Sequence, residues 1–133
     1  MADAVATTTI IDGPRKAVIY CTDTSDGDGE AAVTKVDVSG LSQNTDLDSC
    51  TGVRLEKVVF SNVGMGVKIL WDATADVIAL ELPADYSDTI DFSDIGGLPN
   101  YAGTGKTGDI QFTTVGATSG DTYSVTLYCI KEY

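Results

Sequence analysis

The sequence predicts one all-β domain spanning residues 1–133, a β-sandwich of about eight or nine short antiparallel strands. Three observations lead there. Helical spacing of apolar residues never lasts beyond about one turn. Short runs of β-branched and aromatic residues recur instead, bounded by Gly, Asp, Ser or Asn. Seventeen threonines suit the half-wet face of a sheet, because a branched side chain with a hydroxyl both packs and hydrates there. A jelly roll and an immunoglobulin-like arrangement both fit this strand count, with a small closed barrel as the rival.

In chain order, the first run is Val5 to Ile11, where three threonines separate Val5 from Ile10 and Ile11. The N-terminal segment 1–12 that contains it has two readings, an edge strand or an extended arm. Arg15 to Cys21 and Val33 to Val38 follow as β-branched runs, and Val53 to Phe60 as a longer one. Val67 to Trp71 alternates cleanly, placing Val67, Ile69 and Trp71 on one face and Lys68 on the other. The same alternation groups Ile78, Leu80 and Leu82 in Val77 to Leu82, with Glu81 opposite. Thr89 to Phe92 is a short strand. Asp109 to Val115 turns Ile110 and Phe112 inward and Gln111 outward, and Thr122 to Ile130 turns Tyr123, Val125, Leu127 and Cys129 inward, with Ser124 and Thr126 outward. The inward sets are the expected core.

Two long connections interrupt these runs. Asp23 to Ala32 is a polar turn with Asp23, Asp26, Asp28 and Glu30. Asp94 to Asp109 holds five glycines, a proline, Leu98 and Tyr101. Loops of this length in a small domain often carry function, so Leu98 and Tyr101 are candidate contact residues for a partner. Val5, Ile10 and Ile11 are the second candidate set, as apolar side chains next to a terminus.

Charge and residue types narrow the function. There are 20 acidic and 8 basic residues and no histidine, for a net charge of −12. The missing imidazole removes Ser-His-Asp and Cys-His catalysis and histidine-ligated zinc. The negative charge repels phosphate backbones, so no nucleic-acid partner is expected. No apolar run approaches the roughly 20 residues of a bilayer span, so no membrane partner is expected either. Three separated cysteines without an apparent leader suggest a reduced, cytosolic origin. Cys21 and Cys129 lie in apolar runs and are expected in the core, whereas Cys50 lies in a polar loop and is expected nearer the surface.

Three motifs bear on chemistry. GTGKTGD resembles a phosphate-binding loop, but Asn100 stands where the first glycine belongs and a strand follows where a helix should. Asp23, Asp26, Asp28 and Glu30 offer hard oxygen ligands of the kind calcium takes, without EF-hand spacing. Asp85, Asp88, Asp91 and Asp94 are numerous enough to pair as a glycosidase acid and base, yet nothing in the spacing fixes that geometry. The expectation is therefore no enzyme, no catalytic residue, no cofactor and no metal.

The segments MADAVATTTIIDGPRKAV, AAVTKVDVSGL, VKILWDATADVIALELP and GGLPNYAGTGKTGDIQFTTVGATSGDTYSVTLYCIKEY, in this order, resemble small virion structural proteins of tailed bacteriophages. The resemblance covers nearly the whole chain, and no site residues transfer with it. It implies a capsid decoration or cement protein on the virion surface, made in the host bacterial cytoplasm. Its partner would be the major capsid protein or another virion protein, and it would form a homo-oligomer, with a trimer favoured. A head-tail connector or tail component is the nearest alternative. A carbohydrate-binding β-sandwich module is the other, with Trp71, Tyr86 and Tyr101 as possible stacking rings.

Overall fold

In the computed structural model, residues 5–133 are described. The strands are β1 (Ala6–Asp12), β2 (Lys16–Thr24), β3 (Val33–Val36), β4 (Gly52–Val63), β5 (Gly66–Trp71), β6 (Val77–Leu82), β7 (Tyr86–Asp91), β8 (Ile110–Val115) and β9 (Thr122–Glu132). Two short 3-10 turns, Val38–Gly40 and Ser93–Ile95, complete the secondary structure. All nine expected strands are present. The boundaries differ by a few residues: Val38 opens a 3-10 turn capped by Asp37, and β7 begins at Tyr86 rather than at Thr89.

The strands form two antiparallel sheets, ordered β1-β2-β9-β4-β7 and β3-β8-β5-β6. Their pairing follows one rule. β2 pairs with β9, β3 with β8, β4 with β7 and β5 with β6, as in a long antiparallel ribbon folded at the β5–β6 turn. Successive rungs of the ribbon land in alternate sheets. This winding is a jelly roll, with β1 added at one edge, and it decides between the two sandwich topologies.

Between the sheets lie Trp71, Phe112, Tyr123, Leu55, Met65, Ile69, Leu82, Ile110 and Leu127, all essentially inaccessible to solvent. Each such side chain contributes on the order of 1.5 to 3 kcal/mol by leaving water. Phe112 and Tyr123 meet edge to face across the layers, 5.7 Å between centroids. Alternation placed most of this core correctly, and two residues, Ile78 and Cys50, depart from expectation.

Ile78 is 41% exposed although the sequence grouped it with Leu80 and Leu82. The β5–β6 ladder slips between Ile69 and Leu70, so Ile69 faces Leu80 while Leu70 faces Ile78. Ala79 is the extra residue, and a one-residue bulge reverses the face of everything beyond it. Cys50 is buried rather than near the surface, and its thiol donates to the Gly52 carbonyl at 3.2 Å. The turn before β4 folds inward, carrying Cys50 into the end of the core.

Candidate functional site

The two expected contact sets do not form one surface. Val5, Ile10 and Ile11 are 42%, 57% and 51% exposed. Ile10 and Ile11 lie in β1, the outermost strand of the five-stranded sheet, and Val5 precedes it. Residues 1–4 of the expected N-terminal contact segment lie outside the described residues. β1 pairs with β2 from Ala6 to Asp12, so this part of segment 1–12 is an edge strand. A bulge at Ile10 puts both isoleucines beside the edge.

Tyr101 is 53% exposed, and its hydroxyl donates to the Ile78 carbonyl of β6, at the edge of the other sheet. Leu98 departs from the expectation of a free loop side chain. It bridges to Leu55 through two backbone hydrogen bonds, of 2.7 and 3.1 Å, and packs on the core. The loop around it is tied down elsewhere too. Arg54 donates to the Gly96 and Gly97 carbonyls, and the Thr74 and Thr107 amides bind the Thr104 and Asp72 carbonyls. Lys106 of the GTGKTGD run reaches the Asn100 carbonyl at 3.4 Å.

β1 differs from the other sheet edges. Ala6 to Ile11 carries no charge, whereas β7 holds Asp88 and Asp91, β6 holds Glu81, and β3 is only four residues long. Proteins blunt exposed edges with charge, shortness or cover, because a free ladder templates another strand. Apart from its bulge, β1 lacks these protections until Asp12, whose carboxylate joins Lys131 and accepts from the Ser42 amide. Burial alone would raise the Asp12 carboxyl, but these two donors hold it below the ordinary value.

The outer face of the same sheet is the second notable surface. Reading the ladders across, one row is Thr8, Tyr20, Thr126, Val59 and Thr89, and the next is Ala6, Thr22, Ser124, Ser61 and Ser87. Beyond them lie Thr24, Thr122 and Val63. None of these side chains is charged, and the hydroxyls bond to one another: Tyr20 with Ser124, and Ser87 with Ser61, each at 2.8 Å. A shallow depression runs between Val59, Ser61, Ser87 and Thr126, with Asp88 of the edge strand β7 also on its lining.

Charge collects at the two ends of this face. At one end are Lys16, Arg54 and Lys57, the last lying 4.5 Å over the Tyr128 ring, with Glu56 paired to Lys16 and Asp91 opposite Lys57. Among the described residues, the turns at the other end carry Asp85 and Asp121. By contrast, the outer face of the four-stranded sheet is crossed by the Lys68–Glu81 ion pair, at 3.8 Å.

Inside the sandwich is a polar cluster that the sequence did not announce. Lys35 is buried and its ammonium sits 2.6 Å from Glu30, also buried, whose other oxygen accepts from the Tyr123 hydroxyl. Burial and the Glu30 carboxylate push the Tyr123 phenol far above its ordinary value, so it remains a donor. Glu30 is thereby committed within the fold, while Asp26 accepts from the Asp28 amide. Among the described residues no group of three or more His, Cys, Asp or Glu is arranged to hold a metal ion. The acidic run Asp85 to Asp94 is likewise engaged in turns: Asp85 accepts from the Gly64 amide and Asp91 from the Ser93 amide, each at 2.8 Å.

The thiols are shielded. Burial raises Cys21 to about 11 and Cys129 to about 12, and it raises Cys50 as well. None is poised as a nucleophile at neutral pH. Comparison of the chain with family models, with curated proteins and with solved structures gave no significant match.

Proposed function

We propose that this protein is a non-enzymatic structural component of a bacteriophage virion, a decoration protein that binds the major capsid protein on the capsid surface. Jelly rolls occur in viral capsid proteins and in lectins alike, so the fold by itself favours neither the virion nor the carbohydrate reading. The resemblance of the sequence segments to small phage structural proteins favours the virion. The observation that carries the reading is the uncharged edge of β1, with Ile10 and Ile11 exposed beside it.

Such an edge binds by accepting a strand of the partner, with main-chain hydrogen bonds for affinity and apolar side chains for register. Repeated on a lattice, contacts of this modest kind gain strength through avidity. The acidic surface suits a protein that coats a particle at high copy number and stays away from nucleic acid.

Capsid shells lacking the protein, mixed with it and sedimented, provide the test. Wild-type protein is expected to co-sediment, and an Ile10→Asp, Ile11→Asp variant to lose at least about tenfold in affinity, since a buried unpaired charge costs several kcal/mol. Both positions are more than half exposed, so the fold should tolerate the change. Tyr101→Ala in parallel reports whether the β6 side contributes. Wild-type protein found on tails and not on heads would replace the decoration reading with a connector or tail component.

A further inference from the structure

We propose that the outer face of the five-stranded sheet is a self-association surface on which a second copy of this chain stacks, related by a two-fold axis lying across the strands. This does not rest on the virion reading, and a dimer that binds no capsid would support it equally.

Three observations carry the proposal. The first is the lack of charge. On a chain of net charge −12, the rows through Tyr20, Thr126 and Val59 and through Ser124 and Ser61 form a field of hydroxyl and aliphatic groups. Interface cores are depleted in charge and enriched in tyrosine, and here two acidic chains can touch without opposing like charges.

The second is the arrangement of charge around the field. The end with Lys16, Arg54 and Lys57, where Glu56 and Asp91 leave one positive charge in excess among these five, and the end with Asp85 and Asp121 lie at opposite limits of the strands. A two-fold axis across the strands lays the Lys16, Arg54 and Lys57 end of each copy over the acidic end of the other, the arrangement that keeps the carboxylates of the two copies apart. An axis along the strands would set like ends together and is disfavoured. The chosen geometry is isologous and closes at two copies, so it replaces the trimer expected from the sequence.

The third is area. Five strands spaced about 4.8 Å apart, over about eight residues at about 3.3 Å each, present roughly 600 Å² per copy. Two such faces bury on the order of 1,200 Å², the lower end of the range for specific interfaces. Sheets stack face to face at about 10 Å with aligned strands, so the dimer would add a third and a fourth layer to the existing two.

Sedimentation velocity of the full chain between about 1 and 200 µM is the test, spanning affinities typical of modest interfaces. The expected result is a reversible monomer-dimer equilibrium whose dissociation constant rises at least about tenfold in Thr126→Glu and in Ser61→Glu, because each sets like charges face to face. Val115→Glu, exposed on β8 of the four-stranded sheet, should leave it unchanged. Thermal melts of the dilute monomers show whether each variant is folded, and Tyr20→Glu serves in place of one that is not. Monomer throughout, a trimer, or a dimer indifferent to all the face substitutions would overturn the proposal.

Discussion

At the scale of single residues, the Lys35–Glu30 pair shows how a charge enters a core. Lys35 lies between residues of an alternating run, VTKV, where a lysine ordinarily reads as the solvent side. The β3–β8 ladder skips it: Thr34 faces Gln111 and Val36 faces Ile110, and the intervening bulge turns Lys35 inward. There it meets Glu30 and lies 5.9 Å over both the Phe112 and Tyr123 rings. Removing one partner strands the other charge in an apolar setting, so Lys35→Ala is expected to cost about 3 to 5 kcal/mol in a urea titration. The double change Lys35→Met, Glu30→Gln keeps volume and the Tyr123 hydrogen bond, and should recover most of that loss. A double mutant no more stable than Lys35→Ala would show that the ion pair itself, rather than the avoidance of an unpaired charge, stabilises the fold.

At the scale of elements, legibility tracked the regularity of the ladders. β5, β8 and β9 follow strict alternation, and their inward residues could be named from sequence because each step of one residue switches face. β6 and β3 defeated the same rule, since a single bulged residue shifts parity without leaving a mark in composition. The candidate contact residues divide likewise: Ile10 and Ile11 are exposed on an edge strand, whereas Leu98 is paired with Leu55 through backbone groups that carry no side-chain signature. The loop between the turn at Ser93–Ile95 and β8 was recognisable by its glycines, but not how closely it is held. Gly108, at φ +90°, shows the closeness, because an added Cβ would lie 2.3 Å from the Thr51 carbonyl oxygen. Gly108→Ala should therefore destabilise by at least about 1 to 3 kcal/mol, combining left-handed strain with a backbone clash. Gly103→Ala, with open space around it, should change the melting temperature little. Equal effects at the two positions would mean that the loop is not held against the turn before β4.

At the scale of the whole molecule, the jelly-roll winding and the charge imbalance act against one another. The winding brings β1 and β9, from opposite ends of the chain, into one sheet through β2, so most of the chain is gathered into a small volume. That volume holds 12 more acidic than basic residues, 20 less 8. Compaction raises their mutual repulsion relative to the unfolded chain. Exposed pairs such as Lys16–Glu56 and Lys68–Glu81 offset little of it, since each contributes about 0 to 1 kcal/mol and is itself screened by salt. The Lys35–Glu30 pair is shielded from salt by burial. Raising ionic strength shortens the screening length from about 30 Å at 0.01 M to about 10 Å at 0.1 M, comparable to the spacing of surface charges, so repulsion should weaken more than the few exposed attractions. The melting temperature is therefore expected to rise by several degrees over that range at pH 7, in protein dilute enough to be monomeric, and to rise less in a variant with surface acids such as Asp46 and Asp94 changed to Asn. A melting temperature that fell with added sodium chloride would mean that attractive pairs outweigh the excess of carboxylates, and that the acidity of this jelly roll is no burden on its fold.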